Sequence, residues 1–217
     1  FLVFVAISFT LQNSFTDKNQ YPTRKSIKGL QPDFQDLNQI IGNEVHGVAM
    51  NFVWEQWQPT QKTSCGLNEV LYKGYCFRVL QDYVNVIRIY TKSKVVVTGV
   101  LYGVPYWARG PCSSPVVSQE FCATTKIGAE YYGIFVAFIA WYFNGENGNG
   151  RVADFVIHNE VNSIDWFNYG CSVGNCNIDT WTDIYAQSWN SAYDKLRKEQ
   201  PAAKVLISTQ HNFYKEL

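Results

Sequence analysis

Asn159 and Glu160 follow an apolar run, Phe155, Val156 and Ile157, within the stretch VADFVIHNEVN. β-Branched and aromatic residues in such a run favour a buried strand. The strand therefore delivers an amide and a carboxylate to its end. A carboxylate there is costly to bury unless it has a partner or a chemical task. One task is proton donation, since burial raises a carboxyl pKa toward neutrality. The plain alternative is an ion pair with a buried Arg or Lys. In a regular strand Asn159 and Glu160 point to opposite faces, while His158 and Glu160 share one. Both members of the pair reach one pocket only where the strand ends or bulges, so a distortion is expected at Asn159.

Other side chains able to do chemistry gather after other apolar runs. Trp54, Glu55 and Trp57 follow a second strand, and Tyr106, Trp107 and Arg109 follow a third. Trp54, Tyr106 and Trp107 could stack on a sugar face or anchor loops. His158, Asn162, Trp166 and His211 are candidates for the lining around Glu160, and Asp165 is expected to cap a helix or loop. A Glu55–Glu160 pair is a candidate for inverting hydrolysis, although nothing sets the wider spacing inversion needs. His46 opens the second strand. A seven-residue strand spans about 23 Å, so His46 cannot share a metal with His158 and His211. Two histidines without an HExxH-type pattern make no metal centre. There is no GxSxG elbow and no nucleotide fingerprint; the Gly-rich run at 144–150 follows a helix, the reverse of a phosphate loop. No metal and no cofactor are expected.

These residues need a scaffold, and the hydropathy pattern supplies one. Apolar runs alternate with helical periodicity, as in α/β folds with parallel strands. Strands are expected at residues 26–31, 45–54, 94–101, 153–160 and 204–209. Helices are expected at 32–42 (Phe34, Leu37 and Ile41 on one face), 78–92 (Leu80, Val84, Ile87), 127–143 (Ile127, Tyr131, Ile134, Phe138, Tyr142) and 182–199. There is no internal repeat. Glu160 then ends the fourth strand, on the rim where (β/α) barrels keep their catalytic groups.

The chain has 217 residues, 47% of them hydrophobic, and a formal net charge of zero. That argues for a globular chain and against nucleic acid as a partner. Six cysteines form three sequence-local pairs, Cys65 with Cys76, Cys112 with Cys122 and Cys171 with Cys176. An even count suits disulfides and an oxidising compartment, hence a secreted or extracellular protein or the lumen of the secretory pathway. Zinc sites and reduced thiols are the alternatives, and no N-x-S/T sequon adds support for secretion. Residues 1–11 (FLVFVAISFTL) are apolar but too short to span a bilayer. Residues 1–20 read either as a signal remnant or as the end of a preceding module.

Asn-Glu at the end of a fourth strand resembles the clan of retaining glycoside hydrolases built on (β/α)8 barrels. More narrowly, YPTRKSIKGLQ, HNEVNSIDWFNYG, Tyr185, AYDKLRK and KVLISTQHNF resemble an uncharacterised barrel family known only as a domain of unknown function, over residues 21–213. The clan resemblance implies Glu160 as general acid/base and Asn159 as partner of the sugar 2-hydroxyl. It implies a Glu nucleophile on a seventh strand, past Leu217; Glu216 lies too early. Carbohydrate is the implied partner, and the 16% aromatic content suits it. The expectation is the N-terminal portion of a TIM barrel over residues 21–217, about five of eight βα units. This portion alone is expected to be inactive. The competing expectations are a carbohydrate-binding barrel without hydrolysis and a disulfide-braced structural domain with no cleft around Glu160.

Overall fold

The computed structural model describes residues 13–23, 29–32, 37–112 and 121–210. Five parallel strands form one sheet: β1 (Gly29–Leu30), β2 (Gly47–Val53), β5 (Val96–Tyr102), β6 (Val152–Ile157) and β7 (Lys204–Leu206), side by side in that order. Helix α1 (Leu37–Gly42) links β1 to β2, α3 (Gln81–Lys92) precedes β5, α4 (Lys126–Tyr142) links β5 to β6, and α5 (Ile178–Glu199) links β6 to β7. A one-turn helix, α2 (Trp54–Trp57), directly follows β2. This is a mixed α/β fold with the strand–helix order of a partial (β/α)8 TIM barrel. Because β1 pairs with β2, β6 is the fourth strand of the sheet, as the hydropathy pattern requires.

Helix-facing residues of the strands, among them Met50, Phe52, Val97, Leu101, Phe155 and Ile157, pack against α3, α4 and α5 in one core. Every residue of β6 is buried. Across the N-terminal end of the sheet lies the segment 13–23. Buried Arg151 binds it by donating from Nη1 to the carbonyls of Ser14 and Asp17. Gln200 completes that corner, its Nε2 donating to the carbonyls of Ala140, Phe143 and Val152.

Several local expectations are corrected. The link between α2 and α3 is not a bare loop. It holds an antiparallel hairpin, β3 (Glu69–Tyr72) and β4 (Tyr75–Arg78), turned by Lys73 (φ 47°) and Gly74 (φ 84°). Two successive positive φ angles are what a tight hairpin turn requires. Since residues 75–78 are a strand, α3 starts at Gln81 and not at Arg78. On α1, Ile40 is buried and Ile41 is exposed. On α4, Phe138 is fully buried, but Ile127 is 69% exposed and Tyr131, Ile134 and Tyr142 are half-buried. The helix is instead buried through Tyr132, Phe135, Val136 and Ile139, because α5 and the hairpin cover sides that an isolated amphipathic helix would leave wet. Helix α5 begins at Ile178, where the Asn177 side chain accepts from the Thr180 amide and caps it. Residues 1–11, residues 26–28 of the first expected strand, Phe34, His211 and Glu216 lie outside the described residues.

Disulfides join Cys65–Cys76, Cys112–Cys122 and Cys171–Cys176. All three bridge the long connections after β2, β5 and β6. Among the described residues no helix is long and apolar enough to cross a membrane.

Candidate active site

Strand β6 stops at Ile157 because the next residues cannot continue it. His158 has φ 58° and Glu160 φ 40°, both left-handed. The distortion expected at Asn159 thus falls on its two neighbours. Histidine is among the residue types that tolerate this region best. Its backbone is also held from two sides: the His158 amide lies 3.0 Å from the Leu101 carbonyl and 3.0 Å from the Tyr132 hydroxyl. That hydroxyl in turn donates to the Leu101 carbonyl at 2.6 Å. Strict alternation of side chains therefore ends before Asn159 and Glu160.

The His158 ring lies parallel to Tyr132 (centroids 4.2 Å apart, planes 11° apart) with Phe167 at 4.9 Å and Tyr185 beyond. It is 2% exposed, so it is a buried anchor beneath the turn and not the pocket-lining residue expected from sequence. Burial lowers its pKa to about 3, leaving a neutral imidazole. Burial likewise pushes the hydroxyls of Tyr132 and Tyr185 well up.

The turn is also clamped to the exit of β7. Asn159 Oδ1 accepts from the Ser208 hydroxyl at 3.3 Å, the Val161 amide donates to the Ser208 carbonyl at 3.1 Å, and Asn162 Oδ1 accepts from the Gln210 amide at 2.6 Å. Holding Asn159 by its oxygen leaves Nδ2 as the end available to a ligand. Trp181 Nε1 donates to the Val161 carbonyl, and the Glu160 carbonyl accepts from the Ser163 amide. Glu160 itself is half-buried. Among the described residues its carboxylate has no hydrogen bond and no ion pair, so no basic neighbour among them neutralises it.

The remaining candidates separate by burial. Trp54 is fully buried, stacked on Phe135, with its indole N–H donated to Gln58 Oε1. It is a core residue, not a sugar platform, because α2 begins at Trp54 and turns the ring inward. Trp57 is fully buried too. Trp107 is half-buried, edge-on to Trp54 and Tyr131, and donates to the Gln58 carbonyl; it anchors its loop. Tyr106 is 82% exposed on the same loop. Glu55 accepts from Arg109 Nη2 at 2.7 Å, while Arg109 Nε donates to the Val104 carbonyl. That ion pair ties Glu55 to the β5 loop, away from the free-carboxylate role that an inverting pair with Glu160 demands. Ser163, not Asp165, does the capping: its hydroxyl accepts from the Asp165 amide. Asn162 is buried, and Trp166 is half-buried against Phe121. His46 lies at the start of β2, at the opposite end of the sheet. Among the described residues no three His, Cys, Asp or Glu side chains are grouped to hold a metal. Sequence reasoning missed Ser208, Gln210 and Tyr132. Only their spatial position marks them.

A model of a family described as "Family of unknown function (DUF5722)" matches residues 20–216. The chain belongs to this family. No curated protein matches it. Among solved structures it is similar to a hyperthermophilic β-glucosidase mutant, with 12% identity, TM-score 0.51, and coverage of 80% of this chain and 45% of that one. It is also similar to an apo β-glucosidase, with 13% identity, TM-score 0.51, and coverage of 81% and 44%. The β-glycosidase of Thermosphaera aggregans is a looser neighbour, with 13% identity, TM-score 0.49, and coverage of 80% and 42%. At these identities the likeness shows the fold alone. The DUF5722 chain spans less than half the length of each of these structures.

Proposed function

We propose that this DUF5722 chain carries the proton-donating side of an extracellular retaining glycoside hydrolase. Glu160 is the general acid/base, Asn159 Nδ2 meets the sugar 2-hydroxyl, and the substrate is a glycan. The observation that carries the reading is the Asn159–Glu160 turn. It lies just past the fourth parallel strand, on left-handed backbone, with the carboxylate half-buried and unpaired among the described residues. The fold shared with β-glucosidases supports it, and three disulfides favour an oxidising compartment.

In the first step the Glu160 carboxyl gives its proton to the glycosidic oxygen as the bond to the anomeric carbon breaks. In the second it takes a proton from water, which opens the covalent sugar ester. The attacking carboxylate stands about 5–5.5 Å away in retaining enzymes, and on this reading a seventh barrel strand provides it. Glu160→Gln in the protein expressed from its complete open reading frame tests the role. On a glycan with a poor leaving group, hydrolysis should fall at least about 100-fold. Retention within about tenfold overturns the assignment. Glycan binding without hydrolysis by the wild type would make the protein a carbohydrate-binding barrel.

A further inference from the structure

We infer that Tyr102, Phe121 and Trp166 form a stacking subsite for a pyranose ring on the rim beside Glu160, and that the Cys112–Cys122 bridge holds it in shape. The inference rests on the hydrolase reading for the nature of the ligand. Three separate elements bring the rings together. Tyr102 is the last residue of β5; its neighbour Leu101 packs into the helix-side core, so Tyr102 projects from the opposite, concave face. Trp166 follows Glu160 through two linked turns, in which the Ser163 amide donates to the Glu160 carbonyl and the Trp166 amide to the Ser163 carbonyl. Phe121 belongs to the strap that enters α4.

The rings touch in a defined way. Trp166 lies 4.5 Å from Phe121 and 6.5 Å from Tyr102, perpendicular to the latter at 89°. Phe121 is 7% exposed and forms the backing, whereas Tyr102 and Trp166 are half-exposed. Large aromatic rings that sit half-open at the end of a strand, backed by a third ring, present an apolar face and keep a polar rim. That matches a pyranose with equatorial hydroxyls, whose flat C–H face is apolar and whose edge needs hydrogen bonds. An axial hydroxyl would interrupt the face from which it projects.

Both ends of the strap are tied down. The Gly110 amide donates to the Ala123 carbonyl (2.7 Å), the Ala123 amide to the Asn168 carbonyl (2.6 Å) and the Asn168 amide to the Phe121 carbonyl (3.2 Å). The Cys112–Cys122 disulfide closes the same strap one residue from Phe121. The loop bearing Glu160 and the loop bearing Phe121 are therefore laced together. A platform fixed before binding loses less entropy when the ligand arrives.

The test uses the protein from its complete open reading frame, labelled with 5-fluorotryptophan. The Trp166 fluorine resonance is assigned by its loss in Trp166→Phe. Cellotetraose, xylotetraose, mannotetraose and galactotetraose are titrated into wild type and into Glu160→Gln. The expected result is a saturable shift of the Trp166 line by cellotetraose or xylotetraose in both proteins. Trp166→Ala should then weaken binding at least about tenfold, and Cys112→Ser/Cys122→Ser should weaken it with Trp166 intact. Cellotetraose and xylotetraose both failing to move the Trp166 line overturns the subsite. So does binding that Trp166→Ala leaves unchanged. A shifted Trp166 line in a protein that hydrolyses nothing keeps the subsite and removes the hydrolase reading. Glu160-dependent hydrolysis with a silent Trp166 line does the reverse.

Discussion

Acid should loosen the turn that carries Glu160, through His158. The imidazole is 2% exposed. Burial holds its pKa at about 3, against an ordinary 6.5. Above pH 6.5 the folded and unfolded chains both keep it neutral, and its contribution to stability is fully present. Below that value the unfolded chain binds a proton that the native chain refuses, so stability falls with pH until the folded value near 3 is reached. Each pH unit inside this window removes about 1.4 kcal/mol. From pH 7 to pH 5 the loss from this one residue is about 2 kcal/mol. His158→Phe keeps a ring for Tyr132 and Phe167 to pack on and removes the titration. Urea unfolding of both proteins at pH 7 and pH 5 gives the comparison. Every other ionisable group is common to both proteins, so its contribution cancels in the comparison. The variant should gain about 2 kcal/mol on the wild type between the two pH values. Parallel pH dependences would show that His158 charges freely in the native state, and the buried neutral anchor would be refuted.

Other outcomes follow from the same packing. A Cβ at Gly133 would lie 2.3 Å from Ser191 Oγ and 2.6 Å from its carbonyl oxygen, so Gly133→Ala should push α4 off α5. It should cost about 1–3 kcal/mol, read as a lowered Tm by calorimetry; an unchanged Tm would contradict the close approach. Ser208→Ala should destabilise by about 1 kcal/mol in urea and free the Asn159 amide, with Ser208→Thr restoring the loss. No difference between Ala and Thr would remove the clamp. Cys65→Ala/Cys76→Ala opens a loop of sequence separation 11. By chain entropy it should lower stability by up to about 3 kcal/mol; equal urea midpoints would rule that out. Intact mass without reductant should show six fewer hydrogens than the all-thiol chain, matching the three bridges.

The framework was legible where the physics is local. Val96–Tyr102 and Val152–Ile157 are short apolar runs, and strands covered by helices need little else to declare themselves. Counting them placed Glu160 after the fourth strand, and the three cysteine pairings followed from nearness along the chain. Legibility failed where burial has no solvent side. Helix α4 is wrapped by the sheet, α5 and the hairpin, so its periodicity named Tyr131 when Tyr132 is the residue that reaches the core. The hairpin β3–β4 was missed because its two strands are four residues each, with only part of each buried.

The order of strands and helices, the fold class and the placing of an amide and a carboxylate beyond a buried run are all written into the chain. Those depend on hydropathy and capping among neighbours a few residues apart. Which side chains serve that pair emerges only once the chain is folded. Ser208 meets Asn159 across a separation of 49 residues and Tyr132 meets the His158 amide across 26. Trp54, attractive as a rim aromatic, turned inward because a helix begins at that residue. Contacts between distant residues are set by how the elements pack, and local sequence pattern does not encode that packing.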